Sequence, residues 1–439
     1  MVKPSLRTLP RNRVAQNFNR HRGGGGSREE DMRLLKSLAG LAFAIALSTS
    51  TALAGEIVLN SDQSDPAPKK AMEELIAGFE KANPDIKVKW NNFDHEGYKS
   101  AIRNFLTADA PDVAAWYAGN RMAPFVKAGL FEDVSDVWEA NGLNDQLKSA
   151  AASMTMDGKK WGVPYTYYQW GIYYNKTVYA KAGVTEPKTW AEFVANCEKF
   201  KAAGIDCLTT GTKALWPGAG IFDYINFRTN GYEFHMDLTA GKVKWTDDRV
   251  KNTFKEWAKI TPYITANAAA IDWQDAAALL SQGKAANYVM GNFAVATFKD
   301  GGMTNETLGY MNFPEITPGV PRAEEAPTDT FHIPSGAKNK ADAKKFLAYI
   351  ASPEAQTKMN ATLGQLPVNN KATVGDDPFI KAGFESLSNA YALAQFFDRD
   401  APADMAKAGM EGFQEFMAKP QNIDAILERL QKVADKVYK

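Results

Sequence analysis

Cysteine and histidine are scarce in this chain, with two and four residues among 439. So few thiols exclude a fold stapled by a disulfide framework. The two cysteines, Cys197 and Cys207 in "NCEKFKAAGIDC", have no histidine or acidic cluster at ligand spacing beside them, so no metal site is expected. His95, His235 and His332 each stand alone, the usual setting of a structural histidine. The serine-hydrolase elbow, the HExxH zinc motif and the phosphate-binding loop are all absent, and neither catalytic residues nor a cofactor are expected. Two carboxyl groups about 5–10 Å apart would suffice for glycan cleavage, which sequence spacing does not decide. Long apolar runs are missing as well. The longest, Leu38–Leu47, is too short to span a bilayer.

That short run has a context. From Met32 the chain reads "MRLLKSLAGLAFAIALSTSTALAGE": a basic start at Arg33 and Lys36, the apolar run, then Ala52-Leu53-Ala54 as a small-residue exit. This is the pattern of a secretory signal peptide over 32–54, with cleavage after Ala54 and a periplasmic destination. Residues 1–31, including "RHRGGGGSREED", fit no part of a leader; they read as a mis-called start or a disordered extension. In the oxidising compartment this implies, Cys197 and Cys207 are expected as a disulfide, with two small buried apolar side chains as the alternative.

An excess of charge of one sign is also missing. Nine of the 51 basic and three of the 51 acidic residues precede residue 55, leaving 42 and 48, a net charge of −6. With no basic block, neither nucleic acid nor anionic lipid is an expected partner. The remaining length exceeds what one hydrophobic core fills, so two lobes are expected.

What the chain does contain is βα alternation. "GEIVLNSDQSDPAPKKAMEELIAGFEKANPDIKVKW" reads as strand, polar turn, helix and strand, with Met72, Leu75, Ile76 and Phe79 forming one apolar helix face. Such a βαβ unit predicts an α/β fold with mostly parallel sheets and ligands at the carboxyl ends of the strands. On that rule Asp62 and Gln63 are either ligand contacts or turn and cap residues. Trp116, Asn120 and Arg121 follow another short strand. "TWAEF" carries a capping box, Thr189 with Glu192. "YTYYQWGIYYNK" is the densest aromatic stretch, six rings in twelve residues from Tyr165.

Several segments occur in an order that resembles the extracellular solute-binding proteins of carbohydrate ABC importers, the class of the maltodextrin-binding proteins. They are "FEKANPDIKVKW", "PDVAAW", "FVKAGLFEDV", "DGKKWGVPYTYYQWGIYYNKTVYAKAGVTEPKTWAEF", "LSQGKAANYVMGNF" and "ASPEAQTKMNATLGQLPVN". The resemblance implies a two-lobe clamp, each lobe a mostly parallel sheet flanked by helices and joined by a hinge. Its lobes would comprise about 55–170 with 331–373, and 171–330 with 374–439. It implies a monomeric receptor that holds a mono- or small oligosaccharide between the lobes and docks on membrane permease subunits.

A pyranose offers apolar faces and a hydroxyl rim, which aromatic rings with polar tips match. The resemblance places Tyr167, Tyr168, Gln169 and Trp170 in the cleft and leaves Tyr173 and Tyr174 to the core. Tyr168 stands where relatives often carry an acidic sugar ligand. Trp116 with Asn120 and Arg121, Trp216 in "LWPGAGIF", and Asn292 with Phe293 are carried over by motif; relatives often have tryptophan at the last. Asp329 in "EAPTDTFHI" replaces part of a glycine pair and either accepts sugar hydroxyls or caps a turn. Arg399 in "FFDRD" either meets the ligand or pairs with Asp398 or Asp400 at the surface. With Arg121 it could serve an anionic sugar, the alternative cargo.

Overall fold

A computed structural model describes residues 55–439. The leader, its cleavage site and residues 1–31 lie outside the described residues.

Two sheets organise the chain. The strand β1 (Gly55–Ser61), helix α1 (Pro66–Ala82) and strand β2 (Ile86–Asn92) form the expected βαβ unit, with β1 and β2 parallel and Leu59 opposite Trp90. Helix α1 buries Ala71, Met72, Leu75 and Phe79, the apolar face set by its three- and four-residue spacing. Helix α2 (His95–Ala108) and strand β3 (Val113–Tyr117) follow, and β4 (Val163–Tyr167) closes the first pass. The chain then crosses to β5 (Trp170–Asn175), α3 (Trp190–Ala202), β6 (Asp206–Thr209), α4 (Pro217–Asn230), α5 (Trp273–Ser281), β7 (Ala285–Gly291) and β8 (Leu308–Met311). It returns through β9 (Thr328–His332), and later passes through α6 (Pro378–Ser388) and the short α7 (Phe397–Asp400).

The first sheet has the order β2-β1-β3-β9-β4 and the second β8-β5-β7-β6. Parallel pairs carry the βα passes, while the crossing strands β9 and β5 pair antiparallel with their neighbours. Each sheet has its own core: Ile57, Leu59, Phe79 and Phe346 in the first, Ile172, Phe222, Trp257 and Phe413 in the second. A small third cluster, Ala326, Leu366, Ile380 and Leu387, sits apart from both. The fold is thus the two-lobe α/β clamp. The strand that rejoins the first sheet starts at Thr328, and Trp170 already opens a strand of the second.

Local signals act as the sequence indicates. Glu192 N–H donates to Thr189 Oγ1 at 3.3 Å and Thr189 N–H to Glu192 Oε2 at 3.1 Å, a closed capping box at the start of α3. Cys197 and Cys207 are disulfide-bonded, Cα atoms 4.8 Å apart, tying α3 to β6.

One buried cluster supports the site from behind. Asp223 on α4 and Glu325, just before β9, are both fully buried. Burial pushes both carboxyls well above the usual range, and the neighbouring Asp400 pushes the same way. Asp223 Oδ2 accepts from Phe397 N–H at 2.8 Å and so anchors α7. The folded protein retains a proton that the unfolded carboxyl releases near its ordinary pKa of about 4. Stability from this pair is therefore full below about pH 4 and declines as pH rises toward the raised folded value. Asp223→Asn should raise the melting temperature at pH 8 and leave it unchanged at pH 4; a loss at both values would contradict the retained proton.

Candidate functional site

Carboxyl ends of the first sheet converge on one side of a cavity. Asp62 follows β1, Tyr117 ends β3, and Asp329 lies opposite it in β9. Asp62 Oδ2 accepts from Tyr117 O–H at 3.0 Å and pairs with His95 Nδ1 at 2.8 Å. Burial opposes ionisation of Asp62, but the His95 charge and these two hydrogen bonds outweigh it and hold the carboxyl below its ordinary range. Gln63 Nε2 donates to Tyr165 O–H at 3.2 Å, while its Oε1 is buried without a partner. Asp62 makes no cap for α1: the N-cap is Asp65, and it has no side-chain cap bond. The cap reading of Asp62 and Gln63 is thereby set aside.

The second lobe supplies rings. Trp170, Trp216, Trp273, Phe293 and Phe396 line the opposite wall with Tyr168. They brace one another edge-on: Trp170 and Trp216 have centroids 6.0 Å apart at 86°, and Trp273 and Phe293 5.4 Å apart at 89°. Backbone makes room for them. A Cβ at Gly220 would lie 2.5 Å from Trp170 Cζ3. Leu215, at φ 68°, holds the left-handed conformation just before Trp216, a strain of about 1–2 kcal/mol for a residue with a side chain.

Side chains join the lobes around this space. Arg399 on α7 donates through Nη1 to Thr328 O at 3.0 Å and through Nη2 to Tyr168 O–H at 3.2 Å, and Nη2 pairs with Asp329 Oδ1 at 3.0 Å. Its guanidinium also lies over the Tyr117 ring, 4.4 Å from the centroid. Asp329 is pushed up to about 6, burial outweighing the lowering effect of Arg399. At the mouth, Trp216 Nε1–H donates to Glu96 Oε1 at 3.1 Å and Gln274 Nε2 reaches Asp65 Oδ1 at 3.4 Å. The cavity has a volume of about 140 Å³.

Residues 63–357 match the family model of the bacterial extracellular solute-binding proteins. The chain belongs to that family. An uncharacterised ABC transporter extracellular-binding protein of Pyrococcus horikoshii is 28% identical over 330 residues, covering 73% of this chain and 74% of its own. A probable sugar-binding periplasmic protein of Rhizobium meliloti is 26% identical over 308 residues, covering 68% and 72%. Among solved structures, the bacterial solute receptor AcbH, described as having an exclusive preference for β-D-galactopyranose, superposes with a TM-score of 0.83 at 30% identity over 88% of this chain and all of its own. This chain is a solute receptor, not an enzyme.

Nine of the fourteen residues singled out in the sequence line the receptor's cavity: Asp62 and Gln63, Trp116, Tyr168, Trp170, Trp216, Phe293, Asp329 and Arg399. Five do not, for identifiable reasons. Tyr168 and Gln169 lie in the crossing between β4 and β5, and of this stretch Tyr168 and Trp170 line the cavity while Tyr167 and Gln169 do not. Tyr167 packs on the small third cluster. Gln169 Nε2 donates to Phe379 O at 3.0 Å against Gly383 of α6. Asn292 accepts from Tyr173 O–H at 3.0 Å and donates to Gly364 O, so only its neighbour Phe293 reaches the wall. Asn120 Nδ2 donates to Asp400 O at 2.6 Å, joining the lobes behind the site. Arg121 lies over the Trp116 ring at 5.2 Å and beside Asp398.

Two open readings also resolve in geometry. Asp329 is in a strand, not at a turn, and Arg399 is buried on Asp329 rather than paired at the surface. His95, Tyr117, Trp273 and Phe396 line the cavity without having been singled out. Tyr117 and Phe396 adjoin residues that were noted, so the neighbouring motif was an available signal. His95 had none, because its partner Asp62 is thirty-three positions away in the sequence.

Proposed function

We propose that the receptor captures a single neutral monosaccharide in this cavity and delivers it to the permease of an ABC importer from the periplasm. The observation that carries the reading is a wall of rings from the second lobe facing the Asp62, Gln63 and Asp329 side chains of the first, which adds the rings of Trp116, Tyr117 and Tyr165. That pairing matches the apolar faces and hydroxyl rim of a pyranose. The size of the space supports one ring: 140 Å³ corresponds to roughly ten water-sized positions, near the dozen or so heavy atoms of a hexose.

Charge supports neutral cargo. Asp62, Asp65, Asp329 and Asp398 line the space against His95, Lys99 and Arg399. Arg399 is bound to Asp329, His95 to Asp62 at 2.8 Å and Lys99 to Glu96 at 3.2 Å, and Arg121 is not in the lining, so among the described residues no lining cation is free for a phosphate or sulfonate. The relatives named as sugar-binding and the galactose preference of AcbH point the same way.

Capture needs no chemistry. A sugar touches rings and carboxylates together only when the lobes are closed, and that difference in affinity draws the closed form out of the ensemble. A receptor that must release its cargo is expected to bind near micromolar, about −8 kcal/mol. Calorimetric titration with neutral hexoses and pentoses, raffinose and a hexose phosphate tests this. At least one neutral monosaccharide should bind one to one and be recovered intact. Binding by raffinose or the phosphate alone would overturn the reading.

A further inference from the structure

We propose that His95 is a positioning residue for sugar recognition, fixing the Asp62 carboxylate so that one oxygen is engaged within the wall and the other faces the hydroxyls of the cargo. The proposal rests on the sugar-receptor reading of the cavity. Its basis is geometric. His95 is the first residue of α2, whose N-terminus is held by Asp94 accepting from Gly97 N–H at 2.8 Å. The imidazole is thus presented beside the end of β1 by a capped helix rather than by a free loop. Its Nδ1 stands 2.8 Å from Asp62 Oδ2, which also accepts from Tyr117 O–H at 3.0 Å. Asp62 Oδ1 has only the long 3.3 Å contact from Gln63 Nε2. One oxygen is saturated and the other has capacity for a hydroxyl donor. Without the imidazole, Tyr117 and Gln63 alone would leave the carboxylate free to turn about its last torsion.

Charged groups face the imidazole from each neighbouring element. Asp62 comes from the end of β1, Glu96 and Lys99 from α2 itself, and Asp329 from β9. Tyr117 of β3 touches the same carboxylate, and the neutral Trp216 indole shares Glu96 Oε1 from across the cleft. Burial and Lys99 disfavour the imidazolium, but Asp62, helped by Glu96, outweighs them, so the His95 pKa is raised. The ion pair holds from above the lowered pKa of Asp62 up to the raised pKa of His95. As pH climbs through the latter, the imidazolium is lost while Asp62 stays ionised, the grip on Oδ2 weakens, and the floor becomes more negative. Sugar affinity should therefore fall on the alkaline side.

The test is calorimetric titration of D-galactose into the wild-type protein, His95→Gln and His95→Ala from pH 6 to pH 9, with the histidine resonances followed by NMR in sugar-free protein. Wild type should weaken severalfold across this range. His95→Ala should bind about tenfold more weakly at pH 6, the effect of losing one charge-assisted hydrogen bond. His95→Gln retains an N–H donor that does not titrate. It should bind within about threefold of wild type at pH 6, and above about pH 7, where Asp329 is already ionised, its affinity should be flat with pH. In the sugar-free protein, Asp62→Asn should lower the His95 pKa. A His95→Ala variant with wild-type affinity and pH profile, or a His95→Gln variant that keeps the alkaline loss, overturns the role of His95. Failure of the wild-type protein to bind galactose or any other neutral monosaccharide instead rejects the sugar-receptor reading, and the proposal with it.

Discussion

Arg399→Met should destabilise the protein by about 3 kcal/mol, the low end of the range for breaking a buried pair. The low end applies because Asp329 keeps 19% of its side chain exposed to the cavity, where water can relax around it. Methionine fills much of the arginine volume but removes the charge from Asp329 and the donors from Thr328 O and Tyr168 O–H. With its counter-charge gone, Asp329 should titrate higher than its present value of about 6. Denaturant unfolding at pH 7.5 measures the loss. Adding Asp329→Asn should recover a substantial part of it, because the penalty lies mainly in the orphaned carboxylate rather than in the missing bonds. A single variant within about 0.5 kcal/mol of wild type would mean that Arg399 is a bystander of the kind found at exposed ion pairs.

Trp216→Ala should weaken sugar binding by about 2 kcal/mol, roughly thirtyfold, as expected for an aromatic anchor in a desolvated pocket. The ring stands at the N-cap of α4 after the strained Leu215, braced by Trp170 and by Phe293, whose centroid lies 6.0 Å away. It is also the side chain that meets Glu96 across the mouth. Trp216→Phe separates the two roles. It keeps a flat face but loses the Nε1–H bond, and should cost about 1 kcal/mol of affinity. The melting temperature of each sugar-free variant controls for damage to the wall. Titration curves identical to wild type for the alanine variant would remove the stacking assignment.

The sequence carries the fold through local pattern. Three- and four-residue spacing in α1, the Thr189–Glu192 box and the ordered family segments each survive as structure because they depend on neighbours within a turn or a strand. The site was legible by region and less so by side chain. A one-residue change of facing exchanges all cavity contacts of a strand, and the sequence does not mark where the chain leaves the first sheet. The crossing between Tyr167 and Trp170 thus decides that Tyr168 lines the wall and Gln169 faces α6. Arg399 meets a partner seventy positions away, so its burial could not be read from the neighbouring aspartates in "FFDRD". His95 illustrates the same limit. A lone histidine looks structural until the fold sets it beside Asp62.

The most direct test of the central claim is a crystal structure with a bound neutral monosaccharide. One sugar ring should lie between the lobes, its face within about 4 Å of Trp216 or Trp170 and its hydroxyls on Asp62 and Asp329. A sugar bound outside this cavity, or held in it by groups of one lobe alone, would contradict the account.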